Sequence, residues 1–383
     1  MIDNRLPLLF YCHDALRFGQ TARAALVASL SSHFRVVVVG GEEASHAVDD
    51  LVEVVCLRPE GAADARDARA QLLLGAYLEL DPAVVLVEQF PFGCPELAGD
   101  IVSVLEAAAA NPRTRLVACC VMDILVDRRS TAVRQDDQAR RLADRYFDVV
   151  LVHADPRVGR LEDTIEPQAL RVPIRYTGFV APEPARDPAP IVLQPHEVVV
   201  TCDSRRPDGA VFRAAIEACD HWPGGEGLPV RIIAGLSCPD GEFADLQAEA
   251  ASRAGVVVQR SAPDLHAMAC SGAVSVTDGG CDTVFEMLRA GVPSLIVLDG
   301  GEDEPSEWAH HLAALGVVRL LERERLCGAA LADEIMATLN LPPPYVDLNR
   351  SGTAETLKLV RRLADPPPMF PPSSWLALDQ RLS

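Results

Sequence analysis

The stretch Thr277-Asp-Gly-Gly-Cys-Asp-Thr-Val-Phe-Glu286, which runs on through Met-Leu-Arg-Ala-Gly291-Val-Pro293 into Ser-Leu-Ile-Val-Leu298, says more about this chain than any other. The apolar run before it, Ala273 to Val276, reads as a strand. A Gly-Gly turn follows, then a short helix stopped by Gly291 and Pro293, then a second apolar strand. A strand, a glycine turn and a helix N-terminus make a ready anion site, because free backbone N–H groups and the positive end of the helix dipole converge there. Glu286 falls about one turn into the helix, within reach of the two vicinal hydroxyls of a ribose. Phosphate and ribose taken together mean a nucleotide. A second reading needs no ligand: Thr283-x-x-Glu286 also fits a capping box, in which the side chains satisfy the first amides of the helix itself.

The same alternation extends outward in both directions. In the N-terminal half, Leu8–Tyr11, Arg35–Val39, Val84–Val87, Arg115–Val121 and Val149–Val152 read as strands. Thr21–Leu30, Ala65–Leu80, Ile101–Ala110 and Arg134–Tyr146 read as helices between them. Ala181-Pro-Glu-Pro-Ala-Arg-Asp-Pro-Ala-Pro190 is rich in proline and holds no strand pattern, so it reads as a linker. A second alternating set begins after it, with Glu197–Thr201, Val230–Ala234 and Val256–Val258 as strands and Ala210–Cys219, Phe243–Ala251 and Leu265–Ala269 as helices. Continuous apolar strands spaced by helices predict parallel sheets covered on both faces. The expectation is α/β, with two doubly wound Rossmann-like domains facing across a cleft. Their bounds are 1–180 and 191–342, joined by the linker 181–190. Residues 343–383 form a C-terminal tail, with a helix over Ala354–Leu363 expected to pack back on the first domain.

Composition narrows the function. The chain has 383 residues, 49% of them hydrophobic, and a mean hydropathy of +0.12, enough for two buried cores. No apolar run approaches the roughly 18 residues of a membrane helix. The N-terminus leads into a strand without a basic, cleavable leader, so a cytoplasmic protein is expected. The 11 cysteines show neither C-x-x-C pairs nor zinc spacing and read as buried thiols. A net charge of −20 argues against nucleic acid as a partner. Lys358 is the only lysine. It has no P-loop context, and its charged helix does not suit Schiff-base chemistry. Phosphate must then be held by arginine and backbone amides.

Six pieces together resemble a known group. They are Tyr11-Cys-His-Asp-Ala-Leu-Arg-Phe-Gly19, Glu88-Gln-Phe-Pro-Phe-Gly93, Met122-Asp-Ile-Leu125, Asp155-Pro-Arg157, Arg175-Tyr-Thr-Gly-Phe-Val180 and Asp278 to Pro293. In this order the chain resembles the GT-B glycosyltransferases. More narrowly, it is similar to predicted bacterial glycosyltransferases related to the peptidoglycan-precursor N-acetylglucosaminyltransferase. The resemblance implies a nucleotide diphosphate-sugar donor, with UDP as the expected carrier, held by the second domain. Gly279, Gly280, Asp282 and Thr283 would face the phosphates, Glu286 the ribose, and backbone near Ala262 the base, whose identity leaves no side-chain signature. Glu304 would meet the donor sugar. No metal and no separate cofactor are implied, and the small-molecule acceptor would bind the first domain.

The chain departs from that group in three places. A Gly-His pair usually ends the first-strand loop, but here Gly19 is followed by Gln20, which cannot take a proton at neutral pH. His13 and Asp14 lie earlier in the same loop and Asp123 follows another strand, so these three are the candidate catalytic residues. A histidine has a pKa suited to a base, yet it is equally at home as a hydrogen-bonded loop residue. Asp123 is just as well placed to cap the turn that follows it. The first loop of the second domain, Thr201-Cys-Asp-Ser-Arg-Arg-Pro-Asp-Gly209, lacks the usual glycines. Arg205 and Arg206 would supply phosphate contacts by side chain, or else form a solvated basic turn. Finally, Glu304 lies in an acidic run, Asp299 to Glu307, without the amide partner of the group.

The reaction expected is transfer of a sugar to a hydroxyl or amine of a small acceptor, with inversion implied by the resemblance. Two rivals stand beside it. One is a nucleotide-sugar 2-epimerase on the same architecture. The other is a degenerate partner protein without activity, favoured by Gln20 and the missing glycines and opposed by the retained Glu286 motif.

Overall fold

The computed structural model describes residues 5–12, 20–40, 52–57, 65–92, 97–121, 132–164, 170–180, 197–202, 209–222, 227–262, 268–270, 272–278, 281–298, 306–340 and 348–365. Their strands make two sheets. The first has seven strands: β1 (Leu6–Tyr11), β2 (Phe34–Gly40), β3 (Glu53–Cys56), β4 (Val84–Glu88), β5 (Leu116–Val121), β6 (Val149–Val152) and β7 (Ile174–Tyr176). The second has six: β8 (Val198–Thr201), β9 (Val230–Ile233), β10 (Val256–Gln259), β11 (Val274–Thr277), β12 (Ser294–Leu298) and β13 (Val318–Glu322). Every pairing is parallel.

The strand orders are β3-β2-β1-β4-β5-β6-β7 and β10-β9-β8-β11-β12-β13. Both run outward from a central pair and then reverse, which is the doubly wound order. The reversal falls between β1 and β4 in the first sheet and between β8 and β11 in the second. At such a point the connections leave in opposite directions and open a crevice at the carboxyl ends of the two strands. The register sets Tyr11 beside Val87 at one crevice and Thr201 beside Thr277 at the other.

Alternation along the strands builds the cores. In the first sheet Leu9, Tyr11, Val85, Val87 and Val117 face α2 (Ala65–Leu80), α3 (Ala98–Ala110) and α4 (Ala132–Tyr146). Leu8, Phe10, Val36, Val84, Leu86 and Ala118 face α1 (Gln20–Ser31) on the other side. In the second sheet Val198, Val200, Ile232, Val274 and Val276 pack on α5 (Gly209–Ala218) and α9 (Gly328–Leu339), with α6 (Asp240–Ala251) adding Leu246. Burying each such Val or Leu contributes about 1.5–3 kcal/mol, so central strands apolar on both faces specify themselves.

The last described helix, α10 (Gly352–Ala364), follows the second-domain elements in sequence yet packs on the first sheet. Val360 and Ala364 sit in the same cluster as Leu26 and Leu30 of α1. The chain enters it along Phe179, which accepts from Gly352 N at 3.0 Å and donates to Asn349 O at 2.8 Å. A Cβ on Gly352 would stand 2.2 Å from Gly178 O, so only glycine permits this approach.

Several elements go beyond the sequence pattern. β3 and β7 are edge strands of four and three residues. β13, α8 (Ser306–Ala314) and α9 lie where the sequence reading placed no element. Among the described residues no helix is long and apolar enough to cross a membrane. The linker 181–190 and the tail beyond residue 365 lie outside the described residues.

Candidate active site

In the second sheet, β8 and β11 end on Thr201 and Thr277, both buried. Thr277 Oγ1 lies 3.4 Å from Asp278 Oδ1. Among the described residues the buried Thr201 Oγ1 has no hydrogen-bond partner. A hydroxyl in that state costs about 1–3 kcal/mol unless something pairs with it. After Asp278 the chain forms α7 (Cys281–Ala290). Gly291 closes it with φ +70° while its N–H bonds Met287 O at 2.9 Å, and Pro293 follows, so the helix stops where the sequence places the stop.

The helix start bears on the capping-box reading. Thr283 is the third residue of α7 and is 9% exposed. An N-cap residue stands outside the helix with non-helical backbone angles, so Thr283 does not fill that role. Glu286, five residues after Cys281, lies in the helix about one and a half turns from its start. Its side chain and that of Asp282 lie outside the described residues, as do Gly279 and Gly280 altogether.

The other residues expected on the donor side follow β8, β10 and β12 in sequence. Arg205 and Arg206 belong to the segment after β8, and Glu304 to that after β12; all three lie outside the described residues. Ala262, after β10, is half-buried against Val199, Ile233 and Met268. In the same sheet, Arg231 of β9 makes a bidentate pair with Glu197 at 2.7 and 2.9 Å and reaches Gln259 Oε1 at 3.1 Å. The guanidinium is thereby held to the scaffold, and the Glu197 hydrogen bonds raise its pKa.

The first-sheet crevice carries a layer of polar side chains on its α1 face. Glu88 ends β4 and is 1% exposed; Arg23, in the first turn of α1, is 2% exposed. Arg23 Nε and Nη2 both lie 3.2 Å from Glu88 Oε1, and Nη2 is 2.9 Å from Oε2. Cys12, one residue past β1, is 1% exposed and borders the same carboxylate. Burial pushes the Glu88 carboxyl up, and Arg23 and then Cys12 pull it only partly back. Burial also raises Cys12 well above a normal thiol, so it is no nucleophile at neutral pH. Next to Glu88 the backbone turns sharply through Gln89, at φ 61° and 4% exposed.

Two strands further along, His153 follows β6. Its Nδ1 is 2.9 Å from Thr177 Oγ1 and 3.3 Å from Thr356 Oγ1 of α10, all three buried. Asp155, 1% exposed, accepts from Arg157 N at 2.9 Å, Arg157 Nε at 2.9 Å and Arg157 Nη2 at 2.6 Å. Its other contact is Asn349 N at 2.8 Å, on the returning chain. Burial would raise the Asp155 carboxyl, but the bonds from Arg157 and Asn349 outweigh it and hold the pKa below normal. His311 of α8 adds a contact from its Nε2 to Arg157 O at 3.0 Å.

The candidate catalytic residues His13, Asp14 and Asp123 lie outside the described residues, and the structure fixes only the strand ends they follow. In sequence His13 and Asp14 come directly after Cys12, and Asp123 comes two residues after β5. Sequence reasoning missed the Arg23–Glu88 pair and the His153 layer. A signal exists for the first: Glu88 closes the wholly apolar run Val84-Val-Leu-Val, where a solvated carboxylate has no place.

No protein-family model and no curated protein matches the chain. Solved structures do. The calicheamicin glycosyltransferase CalG4 aligns with a TM-score of 0.59 and 16% identity, over 94% of this chain and 98% of that one. MurG of Acinetobacter baumannii aligns at 0.54 and 15% identity over 98% of both chains. A UDP-GlcNAc 2-epimerase of Neisseria meningitidis, solved with UDP-GlcNAc bound, aligns at 0.61 and 12% identity, over 94% of this chain and 100% of that one. At such identities the likeness is one of fold. Two doubly wound parallel sheets, matched over nearly their whole length by these enzymes and followed by a helix that returns to the first sheet, give this chain the GT-B fold.

Proposed function

We propose that the chain is a glycosyltransferase that uses a nucleotide diphosphate-sugar. The observation that carries this reading is the β8–β11 crevice. It combines the buried, unsatisfied Thr201 hydroxyl with the start of α7 just beyond it. An unsatisfied hydroxyl and a helix N-terminus both call for an anionic oxygen. The diphosphate would lie there, with Gly279, Gly280, Asp282 and Thr283 at the helix start and Arg205 and Arg206 closing from the neighbouring loop. Glu286 would accept from the ribose hydroxyls and Glu304 from the sugar, with the base near the backbone of Ala262.

The acceptor would sit at the β1–β4 crevice. His13, with Asp14 or Asp123 as its orienting partner, would take the proton of an acceptor hydroxyl or amine. The acceptor atom would form a bond to the anomeric carbon as the bond to the diphosphate oxygen breaks. One displacement inverts the centre, and the departing diphosphate keeps the electron pair under the stabilising field of α7 and the arginines. Neither a metal nor a further cofactor enters this scheme.

A 2-epimerase is the second reading, favoured by the TM-score of 0.61 to an enzyme of that activity. Incubation with a panel of nucleotide sugars, with and without candidate acceptors, separates the two. Nucleoside diphosphate release that depends on acceptor supports transfer. Conversion of a donor to its 2-epimer without acceptor supports the second reading. A chain that binds nucleotide tightly and turns over nothing is a degenerate partner.

A further inference from the structure

Residues 348–352, the strap that carries the chain back to the first domain, touch both domains through adjacent residues. Asn349 faces the first. Its N donates to Asp155 Oδ2 at 2.8 Å, its O accepts from Phe179 N at 2.8 Å, and its Nδ2 lies 3.4 Å from Thr177 O. Its Oδ1 accepts from Ser351 N at 3.0 Å, which stiffens the strap itself. Arg350 faces the second domain. Gly291 ends α7 at positive φ, and a Cβ there would overlap Arg350 Nη1 and stand 2.9 Å from Cζ. The guanidinium thus fills the place of a side chain at 291, against the negative end of the helix dipole, where a cation is favourable. The other end of that helix begins four residues after Thr277, at the β8–β11 crevice. A helix of 10 residues is about 15 Å long, so Arg350 does not reach a diphosphate bound at its start. Apolar packing joins the same parts. Val284 and Leu288 of α7 lie in one buried cluster with Val158, Leu161 and Phe179 of the first domain, and Leu348 packs against it.

We propose that Arg350 is a positioning residue for the donor side: seated on Gly291, it holds the rear of α7 to a strap that Asn349 fixes to the first domain. This rests on the reading of the β8–β11 crevice as the donor site. A helix held at its rear has one place at its front, so the hold of the strap and the occupation of the crevice are linked. The linkage is reciprocal: if the strap steadies α7, a diphosphate that steadies α7 also steadies the strap.

The test uses the full chain and two substitutions. Arg350→Met removes the guanidinium and keeps the stem, whereas Arg350→Lys keeps a cation at the helix end. Arg350 is exposed, and the apolar cluster and the contact from His311 to Arg157 O remain, so both variants keep the fold. Amide hydrogen exchange is read over 284–292, over 348–353 and, as control, over 243–258 at the far edge of the second sheet, with and without UDP or dTDP. Without nucleotide, Arg350→Met should exchange about threefold or more faster than the wild type in both 284–292 and 348–353, with the control unchanged. With nucleotide, protection should reach both peptides in the wild type. In Arg350→Met it should persist over 284–292 and be lost over 348–353, and Arg350→Lys should recover part of it. A merely structural arginine would leave that transmitted protection in place. Wild-type exchange in both peptides of Arg350→Met without nucleotide, or unchanged protection of 348–353 with it, overturns the proposal. So does an equal rise in the control, which marks general loosening. Absence of protection over 284–292 by either nucleotide in the wild type defeats the functional reading, and the ligand-free comparison then decides on Arg350 alone.

Discussion

Asp155→Asn tests how the returning chain is held to the first domain. The carboxylate accepts four bonds: Oδ1 takes Arg157 N and Nε, and Oδ2 takes Arg157 Nη2 and Asn349 N. An asparagine of the same shape must turn its NH2 toward one of these pairs, setting donor against donor. Arg157 is 49% exposed, so its ion pair contributes only about 0–1 kcal/mol. The bond from Asn349 N to a buried carboxylate contributes more, about 1.5–3 kcal/mol. The expected loss is therefore about 2–3 kcal/mol. With a urea slope of about 1–3 kcal/mol per molar, the midpoint should fall by roughly 1 M at pH 7. The pH dependence has a definite sign. The folded-state pKa lies below the ordinary value of 3.8, so the Asp155 contribution is complete above that value and is lost as pH falls through the folded one. The gap between wild type and variant should thus hold at neutral pH and narrow only as pH falls through 3.8 toward the folded-state value. Equal midpoints at pH 7, or a gap that widens toward acid, would refute the reasoning.

Three further expectations concern the site. Glu286→Ala should weaken nucleoside diphosphate binding by about 1–3 kcal/mol in calorimetric titration with the melting temperature preserved; early melting with normal affinity would make Glu286 structural. Replacing Arg205 and Arg206 together by Gln should reduce UDP affinity far more than uridine affinity, and added salt should shrink the difference at an open site; equal losses would remove them as phosphate ligands. His13→Ala should lower kcat by about 10²–10⁴ with nucleoside diphosphate affinity nearly intact, and wild-type turnover would pass the role of base to Asp123.

What the sequence discloses follows burial. Central strands such as Val84–Glu88 and Ser294–Leu298 are buried along their whole length and stand out as apolar runs. β3, Glu53-Val-Val-Cys56, shows neither full burial nor a clean alternation, because an edge strand has one neighbour and an open side. β13 hides for another reason. It carries Arg319, which breaks the apolar run but is held by Glu334 of α9 at 2.6 Å, a pairing that needs the fold to exist. The glycine stop of α7 is local chemistry and was legible. The Arg23–Glu88 pair spans 65 residues, and Arg23 in an amphipathic helix looks like a solvated charge until the sheet brings Glu88 to it. The loops expected to hold a donor lie outside the described residues, and the sequence places them only through the strand ends they follow. An acceptor held by loops would leave no such mark, since no periodicity governs them.

The central claim is that the β8–β11 crevice holds a nucleoside diphosphate. The direct measurement is calorimetric titration of UDP and dTDP into the wild type and into Thr201→Val, which removes the buried hydroxyl and keeps its volume. The account predicts saturable binding of at least one diphosphate by the wild type. It also predicts affinity weakened by about 1 kcal/mol or more in a variant that folds at least as stably, since an unpaired buried hydroxyl has been removed from the free protein. Binding identical in the two proteins would move the diphosphate away from this crevice, and no binding of any diphosphate by the wild type would contradict the account outright.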